Sequence, residues 1–379
     1  MTAHPDKLTL GINGRTYAGW EMARVTRGIG RLATDFMVQV ARDRAWRIDV
    51  FDTCTLAIDD ETILTGYVEE VAPQIHPVIH TVQIAGRSKV ADLLDCAQDV
   101  PGGQFAGYSL AAIARAFAGT YGIAVVDQSD GLADATFADA TVQRGETDFA
   151  FLQRLGNLSG VLLTDNAAGN LVLATVGTAR AAGRLAEGEN IGAATARLSG
   201  RHRYSEYIVK GQHALGAGPS QDYSGAGGIT TPAAAPAVQT QMRAVAYDKG
   251  VPRFRPRVVL AESMLTGAGL QLRANWIAQV NVGRATQAEV TVAGWRQPDG
   301  SLWQVNQIVP VDAPALGVQQ DLLVVQTEFA LSAYEGRQTR LHLAPIEAYT
   351  PDPGSVKLHR KRGAGTGGAA VWTGAGGKP

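Results

Sequence analysis

The stretch AGRSKVADLLDCA, residues 85–97, sets a glycine, a serine and a lysine ahead of a helical pattern. Such residues could cradle a phosphate, with backbone N–H groups and an ammonium facing the anion. A Walker-type loop needs Gly-x4-Gly-Lys-Ser/Thr, yet only Gly86 is present and Ser88 precedes Lys89. The three glycines of a dinucleotide fingerprint are missing too. What remains is a structural reading. Gly86 ends a strand, Ser88 caps a helix, and Val90, Leu93, Leu94 and Ala97 form its buried stripe.

The other reactive side chains also fall short of a constellation. His76 and His80 have ligand spacing for a helix, but Pro77 and a β-rich context put them on extended chain, where i and i+4 lie well apart. No third ligand is near, so no metal is expected. Asp59-Asp60-Glu61 reads as a turn and Glu69-Glu70 as a strand end or surface. A glycosidase pair is defined by a separation in space that spacing alone does not give. No Gly-x-Ser-x-Gly elbow occurs, and no Cys–His signature. Trp295 and Trp303 flank RQPDGSL, a hairpin with an Asp299-Gly300 turn. They could stack on a sugar, but packing across the strand pair is the simpler reading. The HRKR cluster at 359–362 reads as part of a solvated tail. No catalytic, cofactor-binding or metal-binding residue is assigned.

Length and charge narrow the class. A chain of 379 residues suggests two to four domains. A formal net charge of −1 gives no footprint for nucleic acid. Two cysteines, Cys54 and Cys96, make no disulfide framework and suit a buried, structural role in a reducing compartment. The N-terminus lacks the apolar stretch of a signal peptide, and no run of 18 apolar residues occurs. A soluble chain in a cytoplasm-like environment, without stable membrane insertion, is expected.

The elements fall into blocks. Residues 1–87 read as a first β-barrel domain, beginning with a hairpin at Asn13-Gly14 and continuing in short strands about ten residues apart. Residues 88–186 read as an α+β insert. Its helices lie over YSLAAIARAFAGTYG, with Gly122 as stop, and ETDFAFLQRLGNLSG, with Gly160 as stop, and a hairpin follows around Asn166–Asn170. Residues 187–348 read as a second β block interrupted by a helix in LTGAGLQLRANWIAQVNVGR. Within it, 214–240 is a Gly/Pro/Ala/Ser-rich flexible loop. Residues 349–379 read as a disordered Gly-rich tail. The fold class is mainly β with an α+β insert.

Several segments, taken in order, resemble one family. They include AGRSKVADLLDCA, YSLAAIARAFAGTYGIAV, ETDFAFLQRL, GVLLTDNAAGNLVL, YSEYIVKG, RFRPRVVLAE, AGWRQPDGSLWQVNQIVPVDA and TRLHLAP. Together they resemble the baseplate hub proteins of Mu-like contractile-tailed phages, a family shared with other contractile injection systems. The resemblance spans roughly residues 7–350. It implies two related β-barrel domains plus a small α/β domain, in a homotrimer that forms a pseudo-sixfold ring. It implies a structural, non-enzymatic hub without cofactors, adapting a sixfold tail tube to a threefold membrane-piercing spike. The partners implied are the central spike protein, the tail tube or distal tube-initiator protein and neighbouring baseplate proteins. DNA would be met only in passage. The implied location is the virion baseplate, after assembly in the bacterial host cytoplasm. A carbohydrate-binding or cell-wall-degrading tail component is the alternative.

Overall fold

A computed structural model describes residues 6–41, 48–75, 77, 80–177, 179–211, 242–261 and 267–350. The expected loop 214–240 and the tail beyond Thr350 lie outside the described residues, as do His76 and the HRKR cluster. The described chain forms two compact units. The larger is built from residues up to Leu198 together with Thr286 onward, and the smaller spans Ser199–Ala285.

The larger unit opens with β1 (Leu8–Ile12), β2 (Arg15–Tyr17), β3 (Met22–Gly28), β4 (Arg31–Ala41), β5 (Thr53–Ile58), β6 (Glu61–Ile75) and β7 (His80–Ser88). The β1–β2 hairpin turns at Asn13 and Gly14 with φ of 50° and 73°, as an Asn-Gly two-residue turn requires. An insert follows: α1 (Ala91–Asp95), α2 (Leu110–Thr120), β8 (Val125–Gln128), α3 (Asp148–Ser159), β9 (Leu162–Asp165) and β10 (Leu171–Ala174). Next come β11 (Ala179–Arg180), β12 (Leu185–Ala186) and β13 (Ala193–Leu198). The smaller unit holds β14 (Glu206–Gly211), β15 (Met242–Tyr247), β16 (Pro256–Leu260) and α4 (Gly267–Arg284). The chain then returns with β17 (Thr286–Ala293), β18 (Gln307–Ala313), β19 (Val318–Ser332) and β20 (Gly336–Ala344).

Both β-rich blocks share one 14-stranded sheet, whose main path runs β13-β17-β20-β19-β3-β4-β7-β6-β5-β1-β2. This corrects the expectation of two closed barrels. Among the described residues neither block closes on itself, because β19 passes its edge to β3 of the other block. The short β11 and β12 join β18, so the second block's sheet begins before residue 187. The order β4-β7-β6-β5 recurs as β17-β20-β19-β18. In each set the third strand in space is 15 residues long and its meander successor 9. In each, the register shifts midway along the long strand, at Val68/Glu70 and at Val324/Gln326. Matching positions are buried alike: Val38 faces Ile84, and Val290 faces Leu341. One continuous core includes residues of both sets, with Leu10, Leu56 and Val68 alongside Val309, Val324 and Leu343.

The insert has its own core, centred on Leu93, Leu110, Ile113, Phe117, Phe151 and Leu155 and sealed by Leu32 and Ala33 of β4. Ser109 and Thr147 cap α2 and α3 by accepting from the N–H groups of Ala112 and Ala150. Gly160 stops α3 with a φ of 72°. Ser88 is a different matter. It closes β7 with its side chain buried and caps no helix, while Val90 takes the cap position without a side-chain bond. The helix α1 ends at Asp95, so Ala97 is exposed and drops out of the expected stripe. Gly86 lies inside β7, where a Cβ would sit 2.1 Å from the Tyr67 carbonyl oxygen. Its missing side chain serves strand contact, not an anion.

In the smaller unit β14 is central, antiparallel to β15 and parallel to β16, and α4 packs Leu270, Ala274 and Ile277 over Tyr207 and Val209. Arg203 holds Asp248 with two hydrogen bonds of 2.7 Å. Those bonds, aided by the Gly250 N–H, keep the Asp248 carboxyl below its ordinary range.

Leu93→Asp should lower unfolding free energy by more than about 3 kcal/mol, since it buries an unpaired charge. Lys89→Ala should leave it within about 1 kcal/mol of wild type; denaturant melts read both. Asp248→Asn should cost about 2 kcal/mol at pH 7. Because the folded carboxyl titrates below the unfolded one, that contribution is complete above about pH 4 and fades as pH falls through the folded value. The gap between wild type and variant should therefore narrow in acid, measured by melts from pH 7 downward.

Candidate assembly surface

Most of the reactive side chains singled out in the sequence are held by structural bonds. Arg296 gathers three carboxylates: it donates to Asp6 at 2.8 Å and reaches Asp59 and Glu61 at 3.3 and 3.4 Å. The Lys7 backbone N–H, then Arg296, hold the Asp59 carboxyl below its usual range. Glu69 is taken by Arg87, which also binds Asp95. Trp295 and Trp303 are buried, and the Trp295 indole N–H donates to the Ala330 carbonyl at 3.0 Å. They pack across the strands and offer no stacking platform. Cys54 is buried, and burial pushes its thiol up to about 12, whereas Cys96 is exposed, contrary to the expected burial. Among the described residues no three His, Cys, Asp or Glu side chains gather as a metal site. No helix there is long and apolar enough to cross a membrane.

The insert is latched to the first block by polar contacts. Asp165, at the end of β9, accepts from the Thr34 N–H at 2.9 Å and the Thr34 hydroxyl at 2.8 Å. Arg27 stands 3.7 Å from the same carboxylate and donates to the Ile63 carbonyl at 2.7 Å. Thr65 donates to the Ala167 carbonyl at 2.8 Å. Gly169, with φ of 71°, lets the hairpin approach: a Cβ there would lie 2.5 Å from the Thr65 carbonyl oxygen. Arg27, Thr34, Ile63, Asp165 and Ala167 line part of a cavity of about 420 Å³, which also touches Trp303 and Asn306. No sequence signal marked Asp165, because its partners lie about 130 positions away.

The junction of the two blocks is a strand pairing. The register shift in β19 divides its edge. Asn306, ahead of β18, donates to the Val324 carbonyl at 2.8 Å, while Ile29, after β3, donates to the Val325 carbonyl at 2.9 Å. Beyond that point β3 pairs with Gln326–Ser332. Two comparable edges have no strand partner among the described residues: the far half of β6 beyond its register shift, and the outer edge of β13. Both carry large exposed apolar side chains, Ile75 at 79% and Leu198 at 63%. Unsatisfied edges of this kind are templates for joining another strand.

Comparison with known proteins follows the same blocks. Residues 7–88 match the family described as Mu phage baseplate assembly protein GpP-like, N-terminal. Residues 90–175 match baseplate hub protein gp44-like, second domain, and residues 266–352 match Mu phage baseplate assembly protein GpP, fourth domain. The chain is 32% identical over 366 residues to the baseplate hub protein gp44 of Escherichia phage Mu, covering 95% of this chain and 93% of that one. The 43 kDa tail protein of prophage MuSo2 from Shewanella oneidensis superposes with a TM-score of 0.78 at 28% identity, covering 92% of this chain and all of that one. A tail protein from Neisseria meningitidis MC58 shares the fold, with a TM-score of 0.74 at 20% identity and coverage of 92% and 99%.

The latch yields a prediction. Asp165→Ala leaves the Thr34 donors and Arg27 without their buried acceptor, so unfolding free energy should fall by about 3 kcal/mol. Thr65→Val, which removes one less buried bond, should cost about 1 kcal/mol. Chemical denaturation of both variants checks the ranking.

Proposed function

The chain belongs to the family of the phage Mu baseplate hub protein gp44 and is a structural hub component, and we propose that it works as a homotrimeric ring at the centre of a contractile-tail baseplate. One observation carries this reading: the strand order β4-β7-β6-β5 returns as β17-β20-β19-β18 within one chain. Two related blocks per chain, incipient barrels that complete one another, give six similar faces when three copies close a ring. Such a ring can meet a sixfold tail tube on one side and a threefold spike on the other. Its partners are then the central spike protein, the tube or its distal initiator, and neighbouring baseplate proteins. Tail DNA passes through without being read, which suits a chain of formal net charge −1. Assembly takes place in the host cytoplasm and the finished ring resides in the virion.

The role is non-enzymatic. The reading as a carbohydrate-binding component loses two of its aromatic side chains, since Trp295 and Trp303 are core residues. Of the carboxylates behind the reading as a cell-wall hydrolase, Asp59, Glu61 and Glu69 are held in ion pairs by Arg296 and Arg87.

Light scattering over a dilution series tests the assembly. The expected mass is near three times the 39.9 kDa chain. A chain that stays monomeric even with spike and tube proteins present would sink the reading, as would zymographic clearing of purified cell wall that one carboxylate substitution abolishes.

A further inference from the structure

The repeat allows the position of each strand in one block to be read onto the other. Aligning the two register shifts sets Val71 beside Thr327, Pro73 beside Phe329 and Ile75 beside Leu331. On the outer side, β3 pairs with β4 as β13 pairs with β17, so that Ala23, Val25 and Arg27 correspond to Ala194, Ala196 and Leu198. Within the chain, the far half of β19 is covered by β3, with Leu331 opposite Ala23 and Phe329 opposite Val25. Among the described residues no strand covers the corresponding half of β6, nor the outer edge of β13, the counterpart of β3. Burial records the difference. Ala23 and Val25 are buried, whereas Ala194 and Ala196 are only half-buried and Leu198 is exposed. Six strands separate β6 from β13 along the sheet path, and the two are not paired within one chain.

We infer that the far half of β6 in one copy takes β13 of a neighbouring copy along its open edge, in the antiparallel register that β3 adopts on β19. This rests on the ring proposed above and names its intersubunit contact. Transferring the register sets Val71 opposite Leu198, Pro73 opposite Ala196 and Ile75 opposite Ala194 on one face. The other face sets Ala72 opposite Arg197 and Gln74 opposite Thr195. The apolar side chains of both edges thus meet on one side, which a slip of one residue would undo. Nothing in the alignment of the repeat used that polarity, so the match is independent support. Pro73 brings no N–H to the ladder and limits what else can add to this edge. The contact is head to tail, with β6 giving to one neighbour and β13 to the other. Contacts of that type generate rings when the rotation closes.

The test is disulfide trapping of the full-length chain, in a Cys96→Ser background that leaves only the buried Cys54. Opposed residues of an antiparallel pair lie about 4.5–5.5 Å apart at Cα, within disulfide reach. The double variant Gln74→Cys/Thr195→Cys should give, on mild oxidation, a reducible covalent species of three chains. Mixing the two single variants should link unlike chains only. The off-register pair Gln74→Cys/Arg197→Cys should cross-link at least about tenfold more slowly, because diagonal neighbours lie about 7–8 Å apart. In parallel, Ile75→Asp should raise the concentration for half-dissociation at least about tenfold with an unchanged melting curve. A trimer by light scattering in which neither cysteine pair links, or both link equally, overturns the strand contact and leaves the ring standing. Absence of any trimer overturns both.

Discussion

The pairing of β3 with β19 is the constraint on which the rest of the large unit depends. It joins residues roughly three hundred positions apart in seven register pairs, Met22–Gly28 against Gln326–Ser332. Without it the chain would hold two small β blocks, each with raw edges. With it, the sheet is continuous and one core contains Val25, Phe36 and Val68 together with Val324, Phe329 and Leu341. The register shift in β19 makes the pairing possible. One extra residue at Val325 bends the strand, ends the ladder with β18 and frees the remainder for β3.

The polar chemistry of the molecule serves the same end. Arg296 ties Asp6, Asp59 and Glu61 to the Trp295–Trp303 hairpin, and Asp165 pins the insert to β4. Asp59, Glu61, Glu69 and Asp165 are engaged in holding elements together. That is the economy of a protein whose output is a shape presented to partners. Among the described residues the far half of β6 and the outer edge of β13 remain without a strand partner.

Much of the local structure was legible in the sequence, and for local reasons. Asn13-Gly14 names its own turn, and Gly122 and Gly160 mark helix ends with φ of 68° and 72°. Trp295 and Trp303 were correctly set across strands, since Asp299-Gly300 fixes the hairpin between them. The failures are equally physical. Ser88 has the chemistry of a cap, but the β7 ladder extends through it and claims its backbone first. The separation of Ser199–Ala285 was hidden because β14, β15 and β16 have the same apolar patterning as strands of the larger sheet. The internal repeat was invisible because it conserves strand order and strand length, not residues: Phe36 has Ala288 as its counterpart, and Pro73 has Phe329. Choice of sheet partner is long-range, and no short window encodes it.

The ladder between β13 and β17 ends with Leu198 opposite Thr286, and the next residues, Ser199 and Ala285, are bonded at 2.8 Å. The whole excursion of the smaller unit therefore departs and returns at what is topologically a hairpin end, where two residues suffice to turn. Such a site is a socket. None of the pairings of the large sheet uses a residue of the smaller unit, so a tight Asn-Gly turn or a foreign domain with neighbouring termini would satisfy the same connection. Diversification can thus proceed by exchanging what is mounted there, with the strands of the large sheet untouched.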